Sequence, residues 1–347
     1  MSNPVLVEVI RSGLVESRHR GAVAVADAGG ALVLGVGDVA AEVFPRSAVK
    51  ALQALPLVES GAAERYGLGD EELALACASH SGERAHVEGV TRMLAKAGLE
   101  PSALCCGAHW PLSQAAAYAL ARTGAPSALH NNCSGKHVGF LAVARARGVD
   151  HIGYWQPDHA VQREVHGVLQ DLTGAVLSPD RRAIDGCSVP TWAAPLHSLA
   201  HAFAKFATGR GLSSDRARAA ARLRAACTHQ PWYVAGTGRF GTEIVRLLGK
   251  RIFFKTGAEG VACGALPTLG LGIAIKCDDG AGRAAEAVAA ALIARLLPLT
   301  DAERHALALF AQPTVRNWNG TEFGALRVTE ALAQSCLLYT SPSPRDS

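Results

Sequence analysis

The chain has 347 residues, 49% hydrophobic, 18% charged and 5% aromatic, which is enough for one large domain or two smaller ones. Its formal net charge is +4, from 34 basic and 30 acidic residues, too mild and too dispersed to imply a nucleic-acid or membrane partner. The modest charged fraction, with no block of like charge, excludes extended disorder.

In chain order, Val5 to Ile10 reads as a short strand, and Ala22 to Ala26 with Ala31 to Val36 as a hairpin turning at Asp27-Ala28-Gly29-Gly30. A helix opens near Ser47, where Ala48, Val49, Ala51, Leu52, Leu55 and Val58 recur at helical spacing, and Gly61 closes it. The middle, from about Asp70 to Leu248, is mostly helical. Glu71 to Cys77, Ala85 to Lys96, Ser113 to Arg122, Ala160 to Leu172 and Ser214 to Cys227 are its clearest helices. Between them, the segments holding His80-Ser81-Gly82, Asn131 to Gly135 and Asp185-Gly186-Cys187 read as loops with exposed backbone. After Lys250 the strand pattern returns in Arg251 to Lys255, Gly260 to Leu266 and Leu271 to Lys276, followed by a helix from Ala284 to Leu297. Strands at both ends around a helical middle predict an α+β fold in which the two termini build one antiparallel sheet. We expect a single domain over 1–330, with its sheet region at 1–60 and 250–330 and its helical region at 61–249. The remaining 331–347 read as a tail of disordered composition.

Met1 to Ile10 carries neither the basic start nor the apolar run of a secretory signal. Stretches such as Ala284 to Leu297 are broken by Glu286 and Arg295 and too short to span a bilayer. A soluble, cytoplasmic protein is expected. The nine cysteines include no C-x-x-C pair and read as reduced thiols.

Four groups of residues carry chemistry. Ser47-Ala48-Val49-Lys50 places a hydroxyl and an amine three residues apart at a helix start, where a lysine made neutral by burial can take a serine proton. Alone, this spacing more often describes a helix cap followed by a surface lysine. Lys255-Thr256-Gly257 ends a strand, and Ser-x-x-Lys with Lys-Thr-Gly is the motif pair of penicillin-recognising serine acyltransferases. Cys77-Ala78-Ser79-His80-Ser81-Gly82-Glu83 reads as a tight turn presenting hydroxyls, with Ser79 either a second nucleophile or a helix cap. Cys133 with Lys136, and Cys187 with Asp185, place two thiols in Gly-bearing loops that could share a zinc ion or simply be buried. Gly236-Thr237-Gly238-Arg239-Phe240-Gly241 fits G-x-G-x-x-G, but only Trp232 to Ala235 precedes it, short for a dinucleotide-binding strand.

At these residues the sequence resembles the bacterial asparaginase II family of the Rhizobium type, from about Val5 to Arg327. The resemblance is carried by Arg46 to Lys50, Cys77 to Ser81, Asn132 to His137, Asp185 to Pro190, Val234-Ala235-Gly236 with Gly238-Arg239, and Lys255 to Gly260. It implies a serine β-lactamase-like and glutaminase-like fold, and hydrolysis of L-asparagine to L-aspartate and ammonia. It implies two Ser–Lys pairs in one pocket, Ser47 with Lys50 and Ser79 with Lys255. It also implies zinc held by Cys133, Lys136 and Cys187, and a homodimer. For substrate binding, Arg46 is our candidate for the α-carboxylate, Asp185 for the α-amine, and His80 a further contact. Glutaminase, penicillin-recognising hydrolase and a non-catalytic metal- or amino-acid-binding protein are the alternatives. Ser335 to Ser347 departs from the family pattern and reads as a foreign or frameshifted tail.

Overall fold

The computed structural model describes residues 2–333. Eight strands form one antiparallel sheet. Its order is Thr314–Arg316, Glu322–Val328, Val5–Arg11, Leu14–Asp27, Leu271–Cys277, Val261–Leu266 and Phe253–Thr256, with Leu32–Val36 also paired to Leu14–Asp27. The N-terminal strands pair with later ones at its centre, where Val7 lies opposite Val328 and Val25 opposite Ile273. Leu14–Asp27 is long enough to serve two neighbours, its first half pairing with Val5–Arg11 and its second with Leu271–Cys277. The α+β class expected from the sequence holds, with both termini in the sheet and helices between them.

Alternation along the central strands decides the layers. Ala22, Ala24 and Ala26 face one core, and Val23 and Val25 face the other. Small residues on the first face let the Leu196–Thr208 helix lie close to the sheet, with Phe203 and Phe206 packed against Phe253. The second face is covered by the Gly282–Leu296 and Phe240–Leu248 helices. Because both faces are buried, the strands read as continuous apolar runs rather than as half-polar ones.

The structure refines several expected elements. The helix expected from Ser47 is broken into a 3-10 turn at Arg46–Val49 and two short helices, Lys50–Gln53 and Leu55–Glu59, with Pro56 opening the second. The loop expected over Asn131 to Gly135 ends early, because the Ser134–Arg147 helix has begun. Nor are the loops around Ser79 and Cys133 exposed: Cys77 to Gly82 is buried, as are Asn131 and Cys133. Their polar groups are turned inward onto one another. The tail expected from 331 begins within a described 3-10 turn, Glu330–Leu332, whose Leu332 is buried. Ser335 to Ser347 lies outside the described residues. Among the described residues no helix is long and apolar enough to cross a membrane.

Candidate active site

Lys50, on the four-residue Lys50–Gln53 helix, is wholly buried, and a buried ammonium needs oxygens around it. It finds three: Ala78 O at 2.5 Å, Ser79 Oγ at 2.9 Å and Asn132 O at 3.4 Å. Lys255, on the edge strand Phe253–Thr256, enters from the opposite side. Its Nζ lies 2.8 Å from Ser79 Oγ and 2.8 Å from Thr256 O. Ser79, 7% exposed, therefore bridges two lysines. Burial, then the charges of Lys50 and Arg239, hold Lys255 well below the usual lysine range. The three acceptors around Lys50 suit all three N–H bonds of an ammonium, and Lys255 is left as the amine with a lone pair for the Ser79 proton.

Of the two expected pairs, Ser79 and Lys255 lie in hydrogen-bond contact, whereas Lys50 contacts Ser79. Among the described residues Ser47 Oγ has no hydrogen bond to either lysine. Instead Ser47 is half-buried and lines a cleft of about 400 Å³, together with Arg46, Asp185, Cys133, Cys187 and Ala258. The backbone N–H groups of Ser47 and Ala258 have no hydrogen-bond partner among the described residues. Three of the four described non-glycine residues with positive φ are in the loops of this site: Arg46 at 49°, Ser188 at 76° and Glu259 at 60°. Strain concentrated in this way is a mark of functional loops.

On the cleft wall, Arg46 Nε donates to Asp185 Oδ1 at 2.6 Å. Burial works to raise the Asp185 carboxyl, but Lys136 and then Arg46 hold it below the ordinary value. Lys136 Nζ lies 3.2 Å from Cys187 Sγ, and both are buried. A hydrogen bond from Cys133 and the Lys136 charge, against burial, bring Cys187 down to about 5, while that same contact and burial push Cys133 up to about 12. The close approach that makes this corner depends on Gly135, where a Cβ would sit 2.3 Å from Leu75 O. Among the described residues, no group of three His, Cys, Asp or Glu is placed to hold a metal ion. Two thiols and an amine do converge here, so a soft cation at this corner would take Lys136 as its third ligand.

His80 is not brought to the cleft. It is wholly buried, and its Nδ1 accepts from Gly82 N–H at 3.1 Å, so its Nε2–H donates to Ser134 Oγ at 2.8 Å. Burial and then the neighbouring His86 and Lys50 keep it neutral, with its pKa well below the usual histidine value. It braces the Ser79 turn against the Ser134–Arg147 helix. Sequence reasoning missed His109, Trp110 and Asn131, which line the cleft. Asn131 pins the wall by donating to Cys106 O and Gly107 O while accepting from Cys133 N–H. Only its place beside Asn132-Cys133 could have marked it.

The family model for L-asparaginase II matches residues 7–328, spanning every residue of this site. The chain belongs to the L-asparaginase II family. As a member of that family it is an amidohydrolase. Among solved structures, a β-lactamase from Mycobacterium bovis is similar at 16% identity with a TM-score of 0.42, over 79% of this chain and 94% of that one. The glutaminase Mglu in its native form is similar at 17% identity with a TM-score of 0.37, over 86% of this chain and 70% of that one. No curated protein matches the sequence.

Proposed function

We propose that this L-asparaginase II family member hydrolyses L-asparagine to L-aspartate and ammonia by a Ser–Lys mechanism. The observation that carries the reading is Ser79 Oγ, held 2.9 Å from one buried lysine and 2.8 Å from another, the first of which also bonds to the carbonyl of Asn132 in the wall of the cleft that Ser47 lines. A nucleophile needs access and a base, and here the two are divided between hydroxyls. Ser47 has the access and attacks the side-chain amide carbon. Its proton passes to Lys50 as Lys50 gives one to Ser79 and Ser79 gives its own to Lys255. The chain of transfers leaves Lys50 and Ser79 as they began and Lys255 protonated. Returned along the same path, that proton lets ammonia leave, and water then releases aspartate from the acyl-enzyme. The unpartnered N–H groups of Ser47 and Ala258 are our assignment for the oxyanion site.

Arg46 and Asp185 neutralise one another in the free protein. A zwitterionic substrate suits this pair, its α-carboxylate against the remaining guanidinium N–H groups and its α-amine against Asp185 Oδ2. Zinc is proposed at Cys133, Lys136 and Cys187, where it would neutralise thiolate charge and fix the loop that carries Asp185. A homodimer is the proposed assembly, which sedimentation velocity reads directly.

The test is ammonia release from L-asparagine and L-glutamine by wild type, Ser47→Ala and Ser79→Ala. Asparagine-dependent release abolished by Ser47→Ala supports the assignment. Release that survives Ser47→Ala but not Ser79→Ala transfers the attack to Ser79. No release from either amide by folded wild type refutes the reading. Glutamine is the closest rival substrate, since one methylene discriminates by only about 1–3 kcal/mol.

A further inference from the structure

The segment from Trp232 to Arg239, which contains the first half of the G-x-G-x-x-G pattern, binds no phosphate in the mechanism above and needs another explanation. It lies along the turn that carries Ser79, and the two are joined rung by rung. Ser79 N–H donates to Val234 O at 3.0 Å, and Ser81 Oγ donates to Ala235 O at 2.8 Å. One turn on, both oxygens of Glu83 are used: Oε1 accepts from Thr237 N–H at 2.9 Å and Oε2 from Thr237 Oγ1 at 2.8 Å. Trp232 Nε1 donates in turn to Thr237 Oγ1 at 2.9 Å. Last, His86 accepts from Glu83 N–H at Nδ1, so its Nε2–H donates to Trp232 O at 3.1 Å, and the imidazole stacks on the Trp232 ring at 3.9 Å.

The glycine at the centre of this ladder is required twice. Gly236 has φ 126°, and a Cβ there would sit 2.5 Å from Ser81 Oγ and 2.7 Å from Glu83 Oε1. Contact this close leaves the Ser79 turn no freedom on that side. Ser79 hydrogen-bonds to two lysines on different elements, so a shift of a fraction of an ångström weakens at least one of those bonds.

We propose that Trp232–Arg239 is a strap that sets the position of Ser79 between Lys50 and Lys255, and that Glu83, through Thr237, is its fastening and a positioning residue for the reaction. The proposal rests on the reading of Ser79 as part of the proton path. Glu83 touches no reacting atom and acts through the backbone of the turn, so its loss should slow the chemistry and leave substrate binding alone.

The experiment compares Glu83→Ala, Glu83→Gln and Thr237→Val with wild type in steady-state ammonia release from L-asparagine, with thermal unfolding recorded for each. Glu83→Ala is expected to lower kcat by about 10- to 100-fold while KM stays within about twofold, the scale of a misplaced catalytic group, and Thr237→Val, which keeps the backbone N–H bond to Glu83, to lower kcat by less. Glu83→Gln, whose amide oxygen still accepts from Thr237 N–H, should recover most of the loss. A raised KM at unchanged kcat, or a loss that only tracks the unfolded fraction, overturns the proposal. Should wild type turn over no amide at all, the functional reading fails but the strap is still decided by a crystal structure of Glu83→Ala. Ser79 Oγ displaced from either lysine supports it, and Ser79 Oγ unmoved from both overturns it.

Discussion

Lys255 and Lys136 are the same residue type, each almost wholly buried, yet their environments drive them in opposite directions. Around Lys255, burial disfavours charge, and Lys50 and Arg239 add two more cations, so it is held well below the usual range. Around Lys136, burial again disfavours charge, but Cys187, Cys133 and Asp185 outweigh it and drive the amine above the ordinary lysine value. Desolvation is common to both, and the sign of the neighbouring charge decides. The first arrangement makes a base. The second makes a cation locked to a thiolate, which can serve a metal only by losing its proton to solvent.

The comparison breaks most visibly at Lys255. Lys255→Met should lower kcat for ammonia release by about 10²- to 10⁴-fold, the range of a lost general base. Lys255→Arg should do nearly as badly, because a guanidinium keeps the charge but cannot take up a proton. Recovery in the arginine variant would mean that Lys255 supplies charge and not basicity. A smaller effect of a different kind is expected on the thiolate side. Lys136→Met, or removal of metal from wild type by a chelator, should raise KM by about tenfold and lower kcat much less, since this corner holds the loop of Asp185 and not the reacting atoms. Loss of kcat at unchanged KM would assign the corner a direct part in the chemistry.

Much of this site was legible in the sequence, for a physical reason. Ser47 and Lys50 are marked by their spacing, Lys255 by its Lys-Thr-Gly motif, and Cys133 and Cys187 as thiols in loops with glycine, while Lys136 as a ligand is implied by the family resemblance alone. What spacing could not reveal is the partner of each. Three residues along a helix suggest that Lys50 serves Ser47, but a buried ammonium is drawn to the densest set of oxygens, and those are Ala78 O, Asn132 O and Ser79 Oγ. These acceptors come from chain 28 to 82 residues away, so no local pattern reports them. His80, the further candidate for substrate contact, shows the converse: both its nitrogens are committed to Gly82 and Ser134. In the fold, Thr314–Arg316 and Glu322–Val328 were not singled out as strands, because the first is a three-residue edge strand, the second pairs between it and Val5–Arg11 with most of its residues partly exposed, and neither carries a continuous apolar run.

The subtlest test of the contrast is at Arg239. Its guanidinium reaches toward Ser81, with Nη1 3.5 Å from Oγ, and its charge is among the causes that depress Lys255. The sign follows from electrostatics alone. A nearby cation disfavours the protonated lysine, so Lys255 is free to act as a base at a lower pH than it otherwise could. The acid limb of kcat/KM, where Lys255 becomes protonated and activity falls, is therefore set low. Arg239→Gln removes one cation and should move that limb to higher pH, by less than about one unit because burial and Lys50 still act. Arg239→Lys, which keeps the charge, should restore the limb. A profile unmoved by Arg239→Gln would show that burial and Lys50 suffice to keep Lys255 neutral. The contrast with Lys136 would then rest on Lys50 on one side and the thiolates on the other.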